Sequence, residues 1–240
     1  MGSRRGAGAL ALLGGGEWGA GCRALDEGLL ELAGSVPERR VGGSEVIVLP
    51  TAAAFEHPER VAARATAYFD GLGASVRTLA VLHRKEAEDP EIVATVRAAK
   101  FVYLVDGSPL HLRSVLKGSA LFEALVSCYH GGGVIAASGA GATLLGDPMV
   151  DPRGGAYTVG LGLIRNLAVF PYHGTAADHL RERSIDLLPS GATLVGIDEE
   201  TALVLRDGTW TVAGAGTVTV YAAGVVSKCA SGATVEGLPG

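Results

Sequence analysis

Apolar residues in the first 150 positions follow two alternating patterns. Short runs of β-branched and aliphatic residues are typical of buried strands, and stretches whose apolar residues lie three or four positions apart are typical of helices. Strands are predicted at 9–13, 45–50, 75–81, 101–105 and from 134, and helices at 22–33, 56–72, 90–99 and 118–129. Strands that alternate with helices imply right-handed crossovers and a mostly parallel sheet covered on both faces.

The pattern changes after Asp147. A loop-like stretch at 148–162 precedes a strand at 167–170 and a helix at 175–188. The tight turns that follow are typical of a β-meander at a sheet edge, with strands at 193–197, 201–205, 209–212 and 217–221. We therefore expect one doubly wound α/β domain over 1–240, with frayed ends at 1–7 and 222–240.

The composition excludes several classes of function. Of 240 residues, 48% are hydrophobic, which suits a sizeable core, and the formal net charge is -5 with a pI near 5.7. Nucleic-acid binding needs a clustered basic face, so no nucleic-acid partner is predicted. No apolar run approaches the roughly 20 residues of a membrane span, so no membrane partner is predicted either.

The N-terminal segment and the cysteines indicate in which cellular compartment the protein is expected. Residues 1–13 carry charges before an apolar stretch, as a signal peptide does, but that stretch is short and a first buried strand is the preferred interpretation. Cys22, Cys128 and Cys229 are widely spaced and odd in number, which favours reduced thiols in the cytoplasm. Since no Cys/His grouping has zinc spacing, neither a metal nor another cofactor is expected.

Residues 14–19 read Gly-Gly-Gly-Glu-Trp-Gly, which formally fits the G-x-G-x-x-G of a dinucleotide site. Such a site needs a carboxylate about 20 residues further on, at the end of the second strand. That strand ends Leu49-Pro50-Thr51, without a carboxylate. We prefer a glycine turn that lets helix and sheet pack closely.

The stretch 131–147 predicts a buried strand that turns sharply into a helix. In many hydrolases this elbow presents a nucleophile at a strained tip, with a small residue and a glycine behind it. Counting back from Gly141 puts Gly139 at the tip and Ser138 one place too early. Because successive strand residues face opposite ways, we expect the Ser138 hydroxyl to hydrogen-bond inside the sheet.

The loop after the fourth strand supplies binding candidates. Loops at the carboxyl ends of the strands line the crevice of an open α/β sheet, so backbone N–H groups near Gly107 and Ser108 are expected to face the elbow and to bind an anion or an oxyanion. Arg113 either contacts a substrate or lies on the surface. The candidate oxyanion or substrate-binding residues are Asp106, Gly107, Ser108, Arg113, Gly139 and Ala140.

Two later loops supply candidates for acid–base chemistry. His173 follows a predicted strand, where a general base would be placed, although a partly exposed loop histidine fits the sequence equally well. Three acids at 198–200 lie between two predicted strands. They form an exposed hairpin, or one of them orients a histidine as in a catalytic triad.

Together these segments resemble the serine peptidase family that includes cyanophycinase and the aspartyl dipeptidase known as dipeptidase E, within the class I glutamine amidotransferase-like fold. The resemblance extends from Leu12 to about Tyr221 and rests on segments 12–17, 49–52, 106–113, 138–142, 149–154, 160–163 and 196–202. It implies a doubly wound α/β fold. In active members it implies cleavage of peptide or isopeptide bonds next to aspartate by a serine, a histidine and a carboxylate, without a metal.

The chain departs from this family where the chemistry resides. The resemblance puts the nucleophile at Gly139 and the base at Tyr172, with His173 one residue late. The oxyanion loop opens with Asp106 where the family usually has glycine, and a carboxylate would oppose an oxyanion electrostatically. Only the acid, assigned to Glu199, is at its family position.

We therefore predict a catalytically inactive peptidase homologue with a binding or scaffold role. Its crevice would hold a small peptide-like or acidic ligand, and a homo-oligomer is compatible with this role. The alternative is an active hydrolase of Asp-containing peptides or isopeptides, in which Ser138 and His173 have shifted together and Glu199 orients the base. A Ser138 Oγ within about 3.2 Å of a His173 nitrogen would support that alternative.

Overall fold

The computed structural model describes residues 7–34 and 44–240, so the expected fraying of residues 1–6 lies outside the described part of the chain. The helices are α1 Arg23–Leu32, α2 Pro58–Asp70, α3 Pro90–Ala98, α4 Pro109–Leu116, α5 Ala120–His130, α6 Ala140–Leu145 and α7 Asp178–Asp186. The strands are β1 Leu10–Leu13, β2 Glu45–Leu49, β3 Ser75–Thr78, β4 Phe101–Leu104, β5 Val134–Ser138, β6 Gly146–Asp147, β7 Met149–Val150, β8 Tyr157–Thr158, β9 Ile164–Arg165, β10 Leu167–Phe170, β11 Thr193–Ile197, β12 Thr201–Arg206, β13 Thr209–Gly214, β14 Thr217–Ala222, β15 Val225–Ala230 and β16 Thr234–Val235. In the described ranges, no helix is both long and apolar enough to cross a bilayer.

The larger sheet contains the predicted parallel core. Its strand order is β16-β13-β12-β1-β5-β4-β2-β3. Strands β1 to β5 pair with one another in parallel, whereas β12 runs antiparallel to β1 and begins an antiparallel edge with β13 and β16. Because β5 lies between β1 and β4, the loops that follow these three strands meet at one edge of the sheet.

Alternate residues of the parallel strands face two separate cores, as strand geometry requires. On one face, Leu13 and Tyr103 belong to a core shared with α1 and α2. On the other, Leu12 and Leu104 belong to a core shared with α3, α4, α5 and the second sheet. Helices on both faces confirm the predicted α/β fold and explain why the strands read as continuous apolar runs.

The meander expected at one sheet edge is divided between two sheets. Strands β12 and β13 form a hairpin in the larger sheet, whereas β11 pairs in parallel with β10 and antiparallel with β14 in a second sheet of order β15-β14-β11-β10-β6-β9. The predicted strands exist, but their apolar pattern reports only that a face is buried. It does not identify the strand with which each one pairs.

The C-terminal segment 222–240 does not fray as expected. Strand β15 pairs with β14 along six residues, and β16 pairs with β13. Trp210 Nε1 donates to the carbonyl oxygen of Pro239 at 2.8 Å, and Val235 is buried. The small side chains of this segment suggested weak packing. Backbone hydrogen bonds to β14 and β13 nevertheless hold it in place, and such bonds do not depend on the identity of the side chains.

Asp26 of α1 is a completely buried acid among aromatic residues. The Tyr68 hydroxyl donates to its Oδ2 at 2.9 Å, and within the described residues Oδ1 has no hydrogen-bond partner. Burial raises the pKa of Asp26 from 3.8 to about 7, and the charge of Glu17 adds to the rise. The acid therefore keeps its proton in the folded protein at pH values where the unfolded chain loses it.

We expect Asp26→Asn to raise the free energy of unfolding at pH 8 by on the order of 1–4 kcal/mol and to change it little at pH 4. The folded-state pKa of Asp26 is raised, so the stability that it contributes is fully present below about pH 4 and is lost as the pH rises through 7. Urea unfolding at both pH values measures the effect. Asp70→Asn, at the exposed end of α2, is the matched control. An equal effect of Asp26→Asn at both pH values would contradict the assignment.

Candidate functional site

The predicted elbow is present between β5 and α6. Gly139 has φ 45° and ψ -101°, a conformation that side-chain-bearing residues rarely adopt. Its N–H donates to the carbonyl oxygen of Leu13 at 3.0 Å, and its own carbonyl accepts from the N–H and the hydroxyl of Thr143. A Cβ on Gly141 would lie 3.1 Å from Leu104 Cβ, so this glycine lets α6 pack close to the sheet. The sharp strand-to-helix turn predicted from the sequence is thus present, with a glycine at its tip.

The Asp106 carboxylate, at the end of β4, lies directly above the elbow. Its Oδ1 accepts hydrogen bonds from the backbone N–H groups of Gly107 and Ala140, both at 2.7 Å. These are donors from the loop and from the residue after the tip, the arrangement that forms an oxyanion hole in elbow hydrolases. A Cβ built on Gly139 would lie 2.1 Å from the same oxygen. Asp106 therefore accepts from both of these backbone donors and occupies the space that a side chain at position 139 would need.

Tyr172, at the position that the resemblance assigns to the base, completes this arrangement. Its hydroxyl donates to Asp106 Oδ2. The residue has φ 54°, its N–H donates to the Gly14 carbonyl oxygen at 2.7 Å, and its ring fills the space where a Cβ on Gly15 would lie. Burial, followed by the hydrogen bond to Asp106, raises the pKa of Tyr172 far above neutrality. The phenol keeps its proton and serves as a donor instead of a base.

Ser138 faces the opposite side of the sheet from the elbow crevice, as its position in the strand predicts. It is completely buried, and its hydroxyl donates to Glu17 Oε2 at 2.7 Å. The other oxygen of Glu17 accepts from Arg64 at 3.1 Å, and the Arg64 guanidinium lies 5.0 Å from the centre of the Trp18 ring. The expectation of a hydroxyl bonded inside the sheet is confirmed, with Glu17 as its partner.

His173 lies in a separate cluster. Its Nε2 is 2.8 Å from the Tyr221 hydroxyl oxygen, and its Nδ1 is 3.6 Å from Asp198 Oδ1. Burial lowers the pKa of His173, although Asp198 acts in the opposite direction. Glu199 is exposed and accepts from the Thr175 hydroxyl at 3.0 Å. In this structure Ser138 and His173 have different hydrogen-bond partners, so no shifted triad is assembled with Glu199.

Sequence reasoning missed Asp198 and Tyr221 as the partners of His173. Asp198 lies among the three acids noted at 198–200, but nothing in that run distinguishes it from Glu199. The folded chain makes the choice, since Asp198 Oδ1 lies 3.6 Å from His173 Nδ1. The register of the second sheet puts Tyr221, the second-last residue of β14, opposite Leu194 of β11, and its hydroxyl reaches His173 Nε2.

Other candidates have structural contacts. Ser108 caps α4 by accepting from the His111 N–H at 3.3 Å, and its own N–H donates to Ala52, so it does not face the elbow as expected. Arg113 Nε donates to the carbonyl oxygen of Val159 at 2.7 Å and does not line the crevice. A Cβ on Gly107 would lie 2.4 Å from the Ala52 carbonyl oxygen, which explains the glycine.

The glycine turn at 14–19 brings the first loop against the loop at 197–200. A Cβ on Gly14 would lie 2.2 Å from the Ile197 carbonyl oxygen, and one on Gly19 would lie 2.4 Å from Glu200 Oε1. Glu200 in turn accepts from the Gly21 N–H at 2.6 Å. These contacts support the close-packing interpretation of the motif.

A crevice of about 240 Å³ opens beside Asp106 and Tyr172. Most of its lining is apolar and comes from the loop at 150–155, the end of β10 and α7, with Val150, Pro152, Phe170, Pro171, Ala176 and Leu180. Its charged lining residues are Asp106 and Asp151. Within residues 7–34 and 44–240, no group of three or more His, Cys, Asp or Glu side chains is placed to hold a metal ion.

The sequence profile of peptidase family S51 matches residues 10–213, which include the elbow, the Asp106 loop, His173 and Asp198. The chain belongs to peptidase family S51. Cyanophycinases from Nostoc sp. (strain PCC 7120 / SAG 25.82 / UTEX 2576) and Trichormus variabilis (strain ATCC 29413 / PCC 7937) are each 29% identical to it over 192 residues. These matches cover 73% of the chain and 63% of each cyanophycinase, so the chain spans less than two thirds of the relatives' length.

Solved structures agree with the S51 assignment. A peptidase from an acI-B1 Actinobacterium superposes with a TM-score of 0.83 at 29% identity, covering 95% of this chain and 96% of that one. A putative peptidase E protein from Listeria monocytogenes EGD-e superposes with a TM-score of 0.65 at 16% identity, covering 87% and 99%. At that identity the second likeness shows the fold alone. The chain is thus a peptidase-like protein with the fold that the resemblance implies.

We expect Ser138→Ala to lower the free energy of unfolding by about 1–3 kcal/mol, because it leaves a buried oxygen of Glu17 without its donor. Denaturant unfolding measures this loss. Ser127→Ala removes an exposed hydroxyl on α5 and should change stability by less than about 0.5 kcal/mol. If Ser138→Ala were as stable as the wild type and abolished a measurable hydrolysis, the structural role assigned to Ser138 would be wrong.

Proposed function

We propose that this S51 protein does not hydrolyse peptides at its elbow and acts as a binding protein that uses the former active-site crevice. The observation that supports this is the position of the Asp106 carboxylate, bonded to Gly107 and Ala140 at 2.7 Å. One side chain of the protein takes the place of both the reacting hydroxyl and the developing oxyanion.

The negative charge of Asp106, placed at the two backbone N–H groups, opposes acyl transfer. An oxyanion hole accelerates the reaction because fixed N–H groups meet negative charge as it develops. Here those N–H groups already bond to a carboxylate, and a second anion at the same position would be repelled by its charge. Loss of a triad serine or histidine alone costs on the order of 10⁶ in turnover.

The residue at the family's base position also lacks the required chemistry. Tyr172 is protonated and donates to Asp106, so it has no basic site to offer at neutral pH. His173 has a basic nitrogen, but its ring lies between Tyr221 and Asp198 in the other cluster. The crevice therefore has the shape of a binding site without a nucleophile–base pair.

The purified protein should show no turnover of aspartyl dipeptides or cyanophycin-like isopeptides. It should also give no discrete adduct with a serine-directed fluorophosphonate, since its elbow carries only hydrogen at position 139. Mass spectrometry of the probe-treated protein and amino-acid release are the measurements. Labelling at one serine, lost in Ser138→Ala, would overturn the proposal in favour of the shifted active site.

Substitutions at positions 106 and 139 should have non-additive effects on the free energy of unfolding. Gly139→Ala should cost on the order of 3–5 kcal/mol of unfolding free energy, because a Cβ meets both an unfavourable backbone conformation and the Asp106 carboxylate. In an Asp106→Gly background the same change should cost about 1–3 kcal/mol less. Denaturant unfolding of the four proteins gives the coupling energy directly, and additive costs would show that the carboxylate does not occupy the nucleophile's space.

Fluorophosphonate labelling tests the same coupling by chemistry. Gly139→Ser with Tyr172→His should stay unlabelled while Asp106 is present, and addition of Asp106→Gly should allow labelling at residue 139. Labelling of the double variant as rapid as that of the triple variant would contradict the blocking role of Asp106.

A further inference from the structure

We propose that the crevice beside the elbow binds an apolar molecule that carries a free amine, such as the N-terminus of a peptide with a hydrophobic first residue. This inference rests on the proposed binding function and names its ligand. It differs from the acidic ligand expected from the sequence, and the difference comes from the residues that line the crevice.

The size and walls of the crevice suit one hydrophobic side chain. Its volume of about 240 Å³ is below the roughly 300–1,000 Å³ typical of sites for drug-sized ligands. Val150, Phe170 and Leu180 form apolar walls, together with several prolines and alanines. Apolar surface removed from water would supply the main favourable free energy of binding.

The charges of the crevice favour a cation over an anion. None of its lining residues is lysine, arginine or histidine, whereas Asp106 and Asp151 are both acidic. Asp151 is neutralised by a bidentate contact with Arg153. Asp106 receives only neutral donors, and among the described residues no cationic side chain lies within 4.0 Å of its carboxylate.

An ammonium group placed near Asp106 would give the carboxylate the positively charged partner that it lacks. The carboxylate is partly accessible from the crevice, and its Oδ2, which accepts only from Tyr172, has one lone pair left. The rings of Phe170 and Tyr172 also line the crevice, and aromatic faces attract cations. A carboxylate ligand at the same place would meet Asp106 without a compensating positive charge.

Isothermal titration of the full chain with three probes tests this inference. The probes are L-phenylalaninamide, its N-acetyl derivative, which has no charge, and L-aspartic acid α-amide, which replaces the apolar group with a carboxylate. L-phenylalaninamide should bind most tightly, and each of the other two should bind at least about tenfold more weakly.

Two variants locate the site. Asp106→Asn retains an acceptor for both N–H groups but removes the charge, and should weaken L-phenylalaninamide binding at least about tenfold. Ala176→Phe fills the crevice and should abolish binding of that probe. Asp70→Asn removes an exposed carboxylate elsewhere and should leave the Kd unchanged. Circular dichroism and the Tm of each variant identify any that fail to fold, in which case the other variant decides.

The outcomes separate this inference from the proposed function. The absence of L-phenylalaninamide binding, tighter binding of the aspartyl probe, or an unchanged Kd in both folded crevice variants would overturn the ligand assignment and leave the absence of hydrolysis standing. Release of ammonia from L-phenylalaninamide, or of amino acids from dipeptides, would instead overturn the proposed function.

Discussion

The hydrogen bonds that converge on the Asp106 carboxylate are the interaction on which the arrangement around the elbow depends. They join the loop after β4, the first residue of α6 and the loop after β10 through a single side chain. Two backbone N–H groups in a partly buried site would otherwise need water or another acceptor, and an unpaired group of this kind costs free energy. The carboxylate therefore stabilises the elbow that it also fills. The proposed function depends on this occupation, because an oxyanion hole needs donors that are free to meet a developing charge.

Asp106, Gly139 and Tyr172 form one physical unit. The carboxylate fits above the elbow only because residue 139 has no Cβ. The phenol, in turn, provides a neutral donor to the oxygen that the backbone does not reach. Each of the three residues fits the other two. This mutual fit is what is expected when a site is stabilised as a packed structure, whereas a working site keeps strained and unsatisfied groups for its reaction.

Residues that look catalytic in the sequence have structural contacts in the folded chain. Ser138 and Glu17 form a buried hydrogen bond behind the sheet, and Arg64 covers that pair. His173 joins Tyr221 and Asp198 beside the second sheet. Ser138 is kept away from the elbow crevice because a strand residue and its neighbour face opposite sides. One position along the chain therefore decides which core a side chain enters, and a serine displaced by one residue cannot replace a nucleophile without a change in the backbone.

The sequence alone determined the α/β alternation, the elbow and the glycine at its tip, because hydrophobic period and turn chemistry are local properties. It also indicated that Ser138 faces inward, from the alternation of a strand. Tertiary structure decided the rest. Which sheet each late strand joins, the ordering of 222–240 by pairing, and the choice of Asp198 over Glu199 depend on contacts between residues far apart in the chain. The sequence showed Asp106 as a charge that opposes an oxyanion. Only the folded chain showed that its carboxylate accepts from Gly107, Ala140 and Tyr172, because three separate segments have to meet before the site exists.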